Sequence, residues 1–178
     1  SIVVRINISR KHKGARAERD LTTEEIPQMI EIKITLRLLL GVTNSCYDVY
    51  GLVSPITVQM KIELRVLFKP EMNLGWDDDV PIYIKQRWIK ILTLLKGVER
   101  VRFKRCIKPA EDVLGDPILI VCNDGSDDAM CATAHVRWSM KDGTYRCFLY
   151  ASKTRVTPLK KETTPRIEMQ SAVMGARL

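Results

Sequence analysis

Histidine is nearly missing from this 178-residue chain, which has only His12 and His135. So little imidazole argues against a His-based metal centre and against a Ser/His or Cys/His catalytic pair. His135 reads instead as a residue on one face of a strand. The five cysteines, at 46, 106, 122, 131 and 147, are odd in number and include no Cys-x-x-Cys pair. Neither a disulfide framework nor a zinc knuckle is supported, and a reducing compartment is the natural setting. Long apolar runs are also lacking. A stretch such as Leu38 to Tyr47 is about ten residues long and carries polar groups, well short of the ~18 apolar residues of a membrane span. The opening Ser1-Ile2-Val3-Val4-Arg5 has neither the apolar core nor the cleavage site of a signal peptide, and it reads as the start of a piece of a longer chain. There is no internal repeat and no low-complexity segment. Aromatic residues are scarce at 6%, which leaves few rings for stacking on bases.

What is present is charge, unevenly placed. Hydrophobic residues make up 46% of the chain, and its formal charge is +8. A chain of this size buries roughly 70% of its unfolded surface and needs no staple to hold a core. Residues 1 to 20 hold six basic and two acidic residues, a local +4, and residues 151 to 178 repeat that balance. The 130 residues between them are neutral. Within that middle, Lys96, Arg100, Arg102, Lys104, Arg105 and Lys108 face only Glu99, forming a third basic segment. Localised positive charge suits a polyanion, because each neutralised phosphate releases a counterion. Basic runs also serve as solvated faces or tails.

The pattern along the chain predicts an α+β fold. Residues 9 to 20, polar and without periodicity, read as a loop or hairpin arm. Thr22 and Glu25 have capping-box spacing, and Pro27 limits the next segment to a short turn. From Ile56 to Val66 the apolar residues alternate as in a strand, but Ser54-Pro55 is a helix start, and Ile56, Met60, Leu64 and Leu67 also fit helical spacing. A helix is predicted there. A second is predicted over 80 to 96 from Ile84, Trp88, Ile91, Leu92 and Leu95, closed by Gly97. Asp77-Asp78-Asp79 should cap its start, a metal role being the alternative. After Pro109 the pattern changes to strands. Ile118 to Cys122 reads as a buried strand, and Ala132, Ala134, Val136 and Trp138 as the inner face of a second. Asp142-Gly143 reads as a hairpin turn, with Tyr145, Cys147, Leu149 and Ala151 as one face of a third strand. Thr164-Pro165 opens a terminal helix. The simplest arrangement is an antiparallel three-strand meander with a helix packed back across it.

In that arrangement Asp124, ending the first strand, and Glu168, in the first turn of the last helix, converge at one end of the sheet. Paired carboxylates hold Mg²⁺ through oxygen ligands and leave positions open for phosphate oxygens. By spacing alone, Asp124-Gly125-Ser126 also reads as a turn and Glu168 as a surface position.

The string Tyr47-Asp48-Val49-Tyr50-Gly51-Leu52-Val53-Ser54-Pro55-Ile56-Thr57 resembles the Y-D-x-x-G-L-[ILV]-S-P-x-T signature of Pao/BEL-type retrotransposon polyproteins. Further matches come in order: Trp76-Asp77-Asp78 with Pro81, Arg105-Cys106, Asn123-Asp124-Gly125-Ser126, and Ala151 to Val156 with Pro158-Leu159-Lys160. Pro165-Arg166-Ile167-Glu168 and Gly175-Ala176-Arg177-Leu178 complete the series. The resemblance implies a helical thumb- or connection-like segment of a reverse transcriptase over residues 1–110. It also implies the βββα start of a ribonuclease H-like domain over 111–178. Asp124 and Glu168 would then be the first two carboxylates of a Mg²⁺ site. Lys153, Arg155, Lys160 and Lys161 would contact an RNA–DNA hybrid alongside the remaining polyprotein domains, within the cell or in retrotransposon particles. Two carboxylates should not sustain two-metal hydrolysis, and the polymerase aspartates are absent, so little activity is expected of this piece alone. The family also carries the name Pao retrotransposon peptidase, and an aspartic peptidase is the alternative function. That chemistry needs an Asp-[Ser/Thr]-Gly turn to place one carboxylate of a dyad; the order here is Asp124-Gly125-Ser126. A degenerate, non-catalytic remnant is the third reading.

Overall fold

The computed structural model describes residues 1–4, 22–110 and 112–178. The basic arm expected over 9 to 20, with His12, lies outside the described residues. The chain divides into two compact units, one of residues 3–47 and 55–101, the other of 1–2, 48–54 and 102–178.

The first unit is helical. Thr22 and Glu25 bond to each other as their spacing implies, the Thr22 N–H donating to Glu25 Oε2 at 2.9 Å, and a 3-10 turn, Pro27–Glu31, comes next. Helix α1, Leu36–Ser45, has no counterpart in the sequence reading. It forms because Thr35 Oγ1 accepts the Leu38 N–H at 3.2 Å and because Leu36, Leu39 and Val42 share one buried face. Helix α2, Ser54–Leu67, resolves the ambiguous pattern in favour of helix. Met60, Leu64 and Leu67 are buried with Thr57, while Ile56 is half-exposed. Proline early in the helix sets φ and needs no N–H partner, which outweighs alternation. Helix α3, Ile82–Val98, buries Ile84, Trp88, Ile91, Leu92 and Leu95, as the 3.6-residue period requires. It runs through Gly97 rather than stopping there.

Asp77, Asp78 and Asp79 do not cap α3, whose N-cap position is Pro81. Val80 pairs its N–H with the Ile34 carbonyl at 2.9 Å, which extends the segment and turns the acids toward neighbours. Asp77 grips Arg37 through two bonds of 2.9 and 3.0 Å, and Arg37 also lies over the Trp76 ring. Asp78 accepts the Gly75 N–H at 2.7 Å. Asp79 accepts the Ile34 N–H at 2.8 Å and binds Lys85 Nζ at 2.7 Å.

Lys85 is only 5% exposed, and its other bond is to the Ile32 carbonyl at 2.7 Å. Removing Asp79 would leave a buried ammonium with one neutral partner, so Asp79→Ala is expected to cost about 2 kcal/mol, less than for a fully buried pair because Asp79 is half-exposed. Urea denaturation measures it. The Lys85 hydrogen bond, followed by the Ile34 N–H and the charges of Lys85 and Lys33, holds the Asp79 carboxyl below its ordinary value against the opposing effect of burial. A depressed folded pKa contributes stability above the unfolded value and loses it as pH falls through the folded one. The parent should therefore lose stability below about pH 4 more steeply than Asp79→Asn; equal acid profiles would contradict this.

The second unit is the meander. Strands β1 (Val113–Gly125), β2 (Ala129–Met140) and β3 (Tyr145–Val156) form an antiparallel sheet in the order β1-β2-β3. Helix α4, Thr164–Ala176, packs across one face. The chain is thus mixed α+β, three helices preceding three strands and a final helix. The β2–β3 turn is at Asp142-Gly143, where Asp142 accepts the Thr144 N–H at 2.9 Å and its hydroxyl at 2.7 Å.

Two strand expectations need correction. The run Ile118 to Cys122 is not buried: Ile118, Leu119 and Val121 are 49, 61 and 40% exposed. Among the described residues β1 pairs only with β2, so it is an edge strand covered by α4 on one face. The four residues Tyr145, Cys147, Leu149 and Ala151 do not share one face either. Leu149 pairs with His135 and Ala151 with Ala134, so a bulge at Tyr150 reverses the alternation.

Candidate metal and nucleic-acid site

Residues pointing toward α4 can be read from register. Gly125, Asn123 and Val121 oppose Met130, Ala132 and Ala134, which oppose Arg155, Lys153 and Ala151. Gly125 lies against Ile167 of α4, and Gly175 lies against Val121, Ala132 and Asn123. These positions therefore form the helix-covered face. Asp124 alternates with them and belongs to the other face, at the exposed edge of the sheet. Its Oδ1 accepts the N–H of Gly125 at 2.9 Å.

Helix α4 is held by a buried stripe of Ile167, Ser171, Met174 and Gly175. The Ser171 hydroxyl is shared between the carbonyl oxygens of Asp124 and Cys131, at 2.7 Å each. One side chain thus ties the helix to the strand pair at the level of Asp124. Glu168 is exposed and comes directly after Ile167, so it is the fifth residue of α4 and lies just past the first turn, not within it. Gly175 is seven residues further on, on the same line of the helix, and its neighbours Val121 and Asn123 belong to β1. Glu168 is accordingly on the β1 flank of α4. The backbone brings Asp124 and Glu168 to one end of one strand, and no hydrogen bond or ion pair joins their carboxylates. Among the described residues no group of three His, Cys, Asp or Glu side chains is clustered for a metal. Two exposed carboxylates are hard oxygen donors, and in donor type alone they suit the kind of coordination Mg²⁺ takes together with water and phosphate.

The four cations singled out with them separate into two places. Lys153 and Arg155 are on β3, on the helix-covered face. There they line a groove of about 480 Å³ with Arg166 and Arg177 of α4. Lys160 and Lys161 are exposed in the connection between β3 and α4. Members of the third basic segment meet aromatic rings of the sheet, with Lys104 over Phe148 at 5.8 Å and Lys108 over Trp138 at 5.9 Å. Trp138 also donates its indole N–H to the Ile107 carbonyl at 2.9 Å. The sequence reading missed Arg166 and Arg177 as lining residues. Their signal was helical spacing: Arg166, Gln170, Val173 and Arg177 fall on one flank of α4. All five cysteines are free thiols, and no described helix is long and apolar enough to cross a membrane.

The signature around Gly51 is built into the same unit. Asp48 accepts the N–H groups of Leu52 and Val53 at 2.9 and 2.8 Å, closing a tight turn with Gly51 at φ +69°. Ser152 donates its N–H to the Tyr50 carbonyl at 2.8 Å and its hydroxyl to the Gly51 carbonyl at 2.6 Å. Two distant motifs thus bond to each other.

No curated protein and no solved structure matches the chain. The model of one family, described as the Pao retrotransposon-like RNaseH-like domain, matches residues 35–178. With that match covering most of its length, the chain belongs to the Pao retrotransposon-like RNaseH-like domain family.

Proposed function

We propose that this chain is part of the reverse transcriptase and ribonuclease H region of a retrotransposon polyprotein, where it holds an RNA–DNA hybrid and contributes the first two carboxylates of a Mg²⁺ site. The observation that carries this reading is the placement of Asp124 at the open edge of β1 and Glu168 on the β1 flank of α4. When bound, Mg²⁺ would stabilise charge on the oxygens of a phosphodiester undergoing hydrolysis. Asp124 and Glu168 would hold the ion, and Ser171 would keep their two elements together. Lys160, Lys161 and the cations near Lys104 would meet the phosphate backbone, and the segment over 1–110 would serve as the thumb- or connection-like part. The long apolar edge of β1 suits a further strand supplied by the rest of the polyprotein, so the piece by itself should cleave little.

The test is direct. Amide resonances of Asp124, Gly125 and Glu168 should broaden selectively with Mn²⁺ and shift with Mg²⁺, and Asp124→Asn should weaken binding at least about tenfold. Unchanged resonances at saturating Mg²⁺ would overturn the metal reading. Binding to an RNA–DNA hybrid should fall steeply as salt rises; salt-independent binding would contradict the nucleic-acid reading.

A further inference from the structure

We propose that the groove between β3 and α4 is a docking site for an acidic amphipathic peptide segment of a partner protein, separate from the carboxylate site. Lys153 and Arg155 form one wall, Arg166 and Arg177 the other, and Met130 and Met174 are buried in it at 5 and 7% exposure. No carboxylate lines the groove. Glu162 engages Arg166 from outside it at 3.6 Å and accepts a bond from Gln170 at 2.7 Å. Lys153, Arg155 and Arg177 have no acidic partner among the described residues. Three of the four groove cations thus lack a neutralising carboxylate among the described residues.

Three observations favour a peptide over a nucleic acid. The lining is rich in methionine, with Met169 and Val173 at the rim 68 and 46% exposed; flexible thioethers adapt to apolar side chains. No aromatic ring lines the groove, so bases would find no stacking platform. Its helix residues lie on the β3 flank of α4, whereas Glu168 lies on the β1 flank. Lys153 and Arg155 are on the face opposite Asp124, so a phosphodiester at the carboxylates would not reach them. Carboxylates spaced along a helix or strand would meet the two cationic walls while one or two apolar side chains enter the methionine floor.

The methionine methyl groups report occupancy. A peptide of about fourteen residues with leucine and glutamate at helical spacing should shift the methyl signals of Met130, Met169 and Met174, and its glutamine counterpart should bind at least about tenfold more weakly. Arg155→Glu combined with Arg177→Glu should reduce peptide affinity at least about tenfold. Met169→Glu, a change at an exposed position that leaves the core intact, should do the same. Unmoved methyls, or equal binding of the glutamine peptide, would overturn the proposal. Displacement of the peptide by oligo-dT or by an RNA–DNA hybrid, with the same methyls shifting, would overturn it in favour of a nucleic-acid groove.

Discussion

Gly51→Ala is expected to destabilise the sheet unit by about 4 kcal/mol, at the upper end of single-substitution effects. Two independent costs combine. Gly51 has φ +69°, where an L-residue with a Cβ is strained. A Cβ at this position would also fall well inside contact distance of the Ser152 carbonyl oxygen. Ser152 cannot step aside cheaply, because its N–H is committed to Tyr50 and its hydroxyl to Gly51. The alanine would therefore break both bonds or open the turn that Asp48 closes. Because the obstruction is backbone, truncating the neighbour in Gly51→Ala/Ser152→Gly should not restore stability. Urea titrations of the parent, the single and the double variant measure this; a loss under about 1 kcal/mol, or rescue by Ser152→Gly, would refute the account.

A second large effect is expected at Gly125. Its position leaves no room for a side chain: a Cβ would lie 2.7 Å from Ile167 Cγ2 and 3.2 Å from the Ile167 carbonyl oxygen. Ile167 is 2% exposed and cannot rotate away into solvent. Gly125→Val should therefore push the first turns of α4 off the strand, at a cost of about 3 kcal/mol typical of overpacking. The Ser171 bonds to the Asp124 and Cys131 carbonyls lie one turn further on and would stretch with the same motion. Both carboxylates remain in this variant, yet Glu168 moves with the helix. If the proposed carboxylate site binds Mg²⁺, its affinity should drop about tenfold while the variant is still folded at low temperature, separating a geometric loss from a chemical one. Retained Mg²⁺ affinity in a folded Gly125→Val protein would show that spacing between the two elements does not govern the site.

Elements with a clean local signature were legible from residues alone. The stripe from Ile84 to Leu95 implied α3, Ser54-Pro55 implied α2 against a competing alternation, and Asp142-Gly143 implied the β2–β3 hairpin. Helix α1 has a weak local signature because Gly41, Thr43, Asn44 and Ser45 are poor helix formers; what defines it is the Thr35 cap and the cover over Leu36, Leu39 and Val42. The acids at 77 to 79 stand next to a helix start in sequence, but that proximity says nothing about direction, and they do not cap it. A bridge between Thr35 and Asp79 turned them toward Ile34, Arg37 and Lys85.

The carboxylates and cations divide in the same way. That Asp124 ends a strand and Glu168 sits early in a helix is a matter of turn chemistry and periodicity, which are local and readable. Which side of α4 faces β1 and which faces β3 depends on where the helix crosses the sheet, and that is set by Ile167 on Gly125 and Gly175 on Val121. The bulge at Tyr150 then decides that Lys153 and Arg155 share the helix-covered face. The sequence by itself determined every element type but that of α1, and the acidic and basic residues available. Tertiary structure alone separated them into an open carboxylate edge and a cationic groove, because strand register and helix placement are fixed by contacts between residues far apart in the chain.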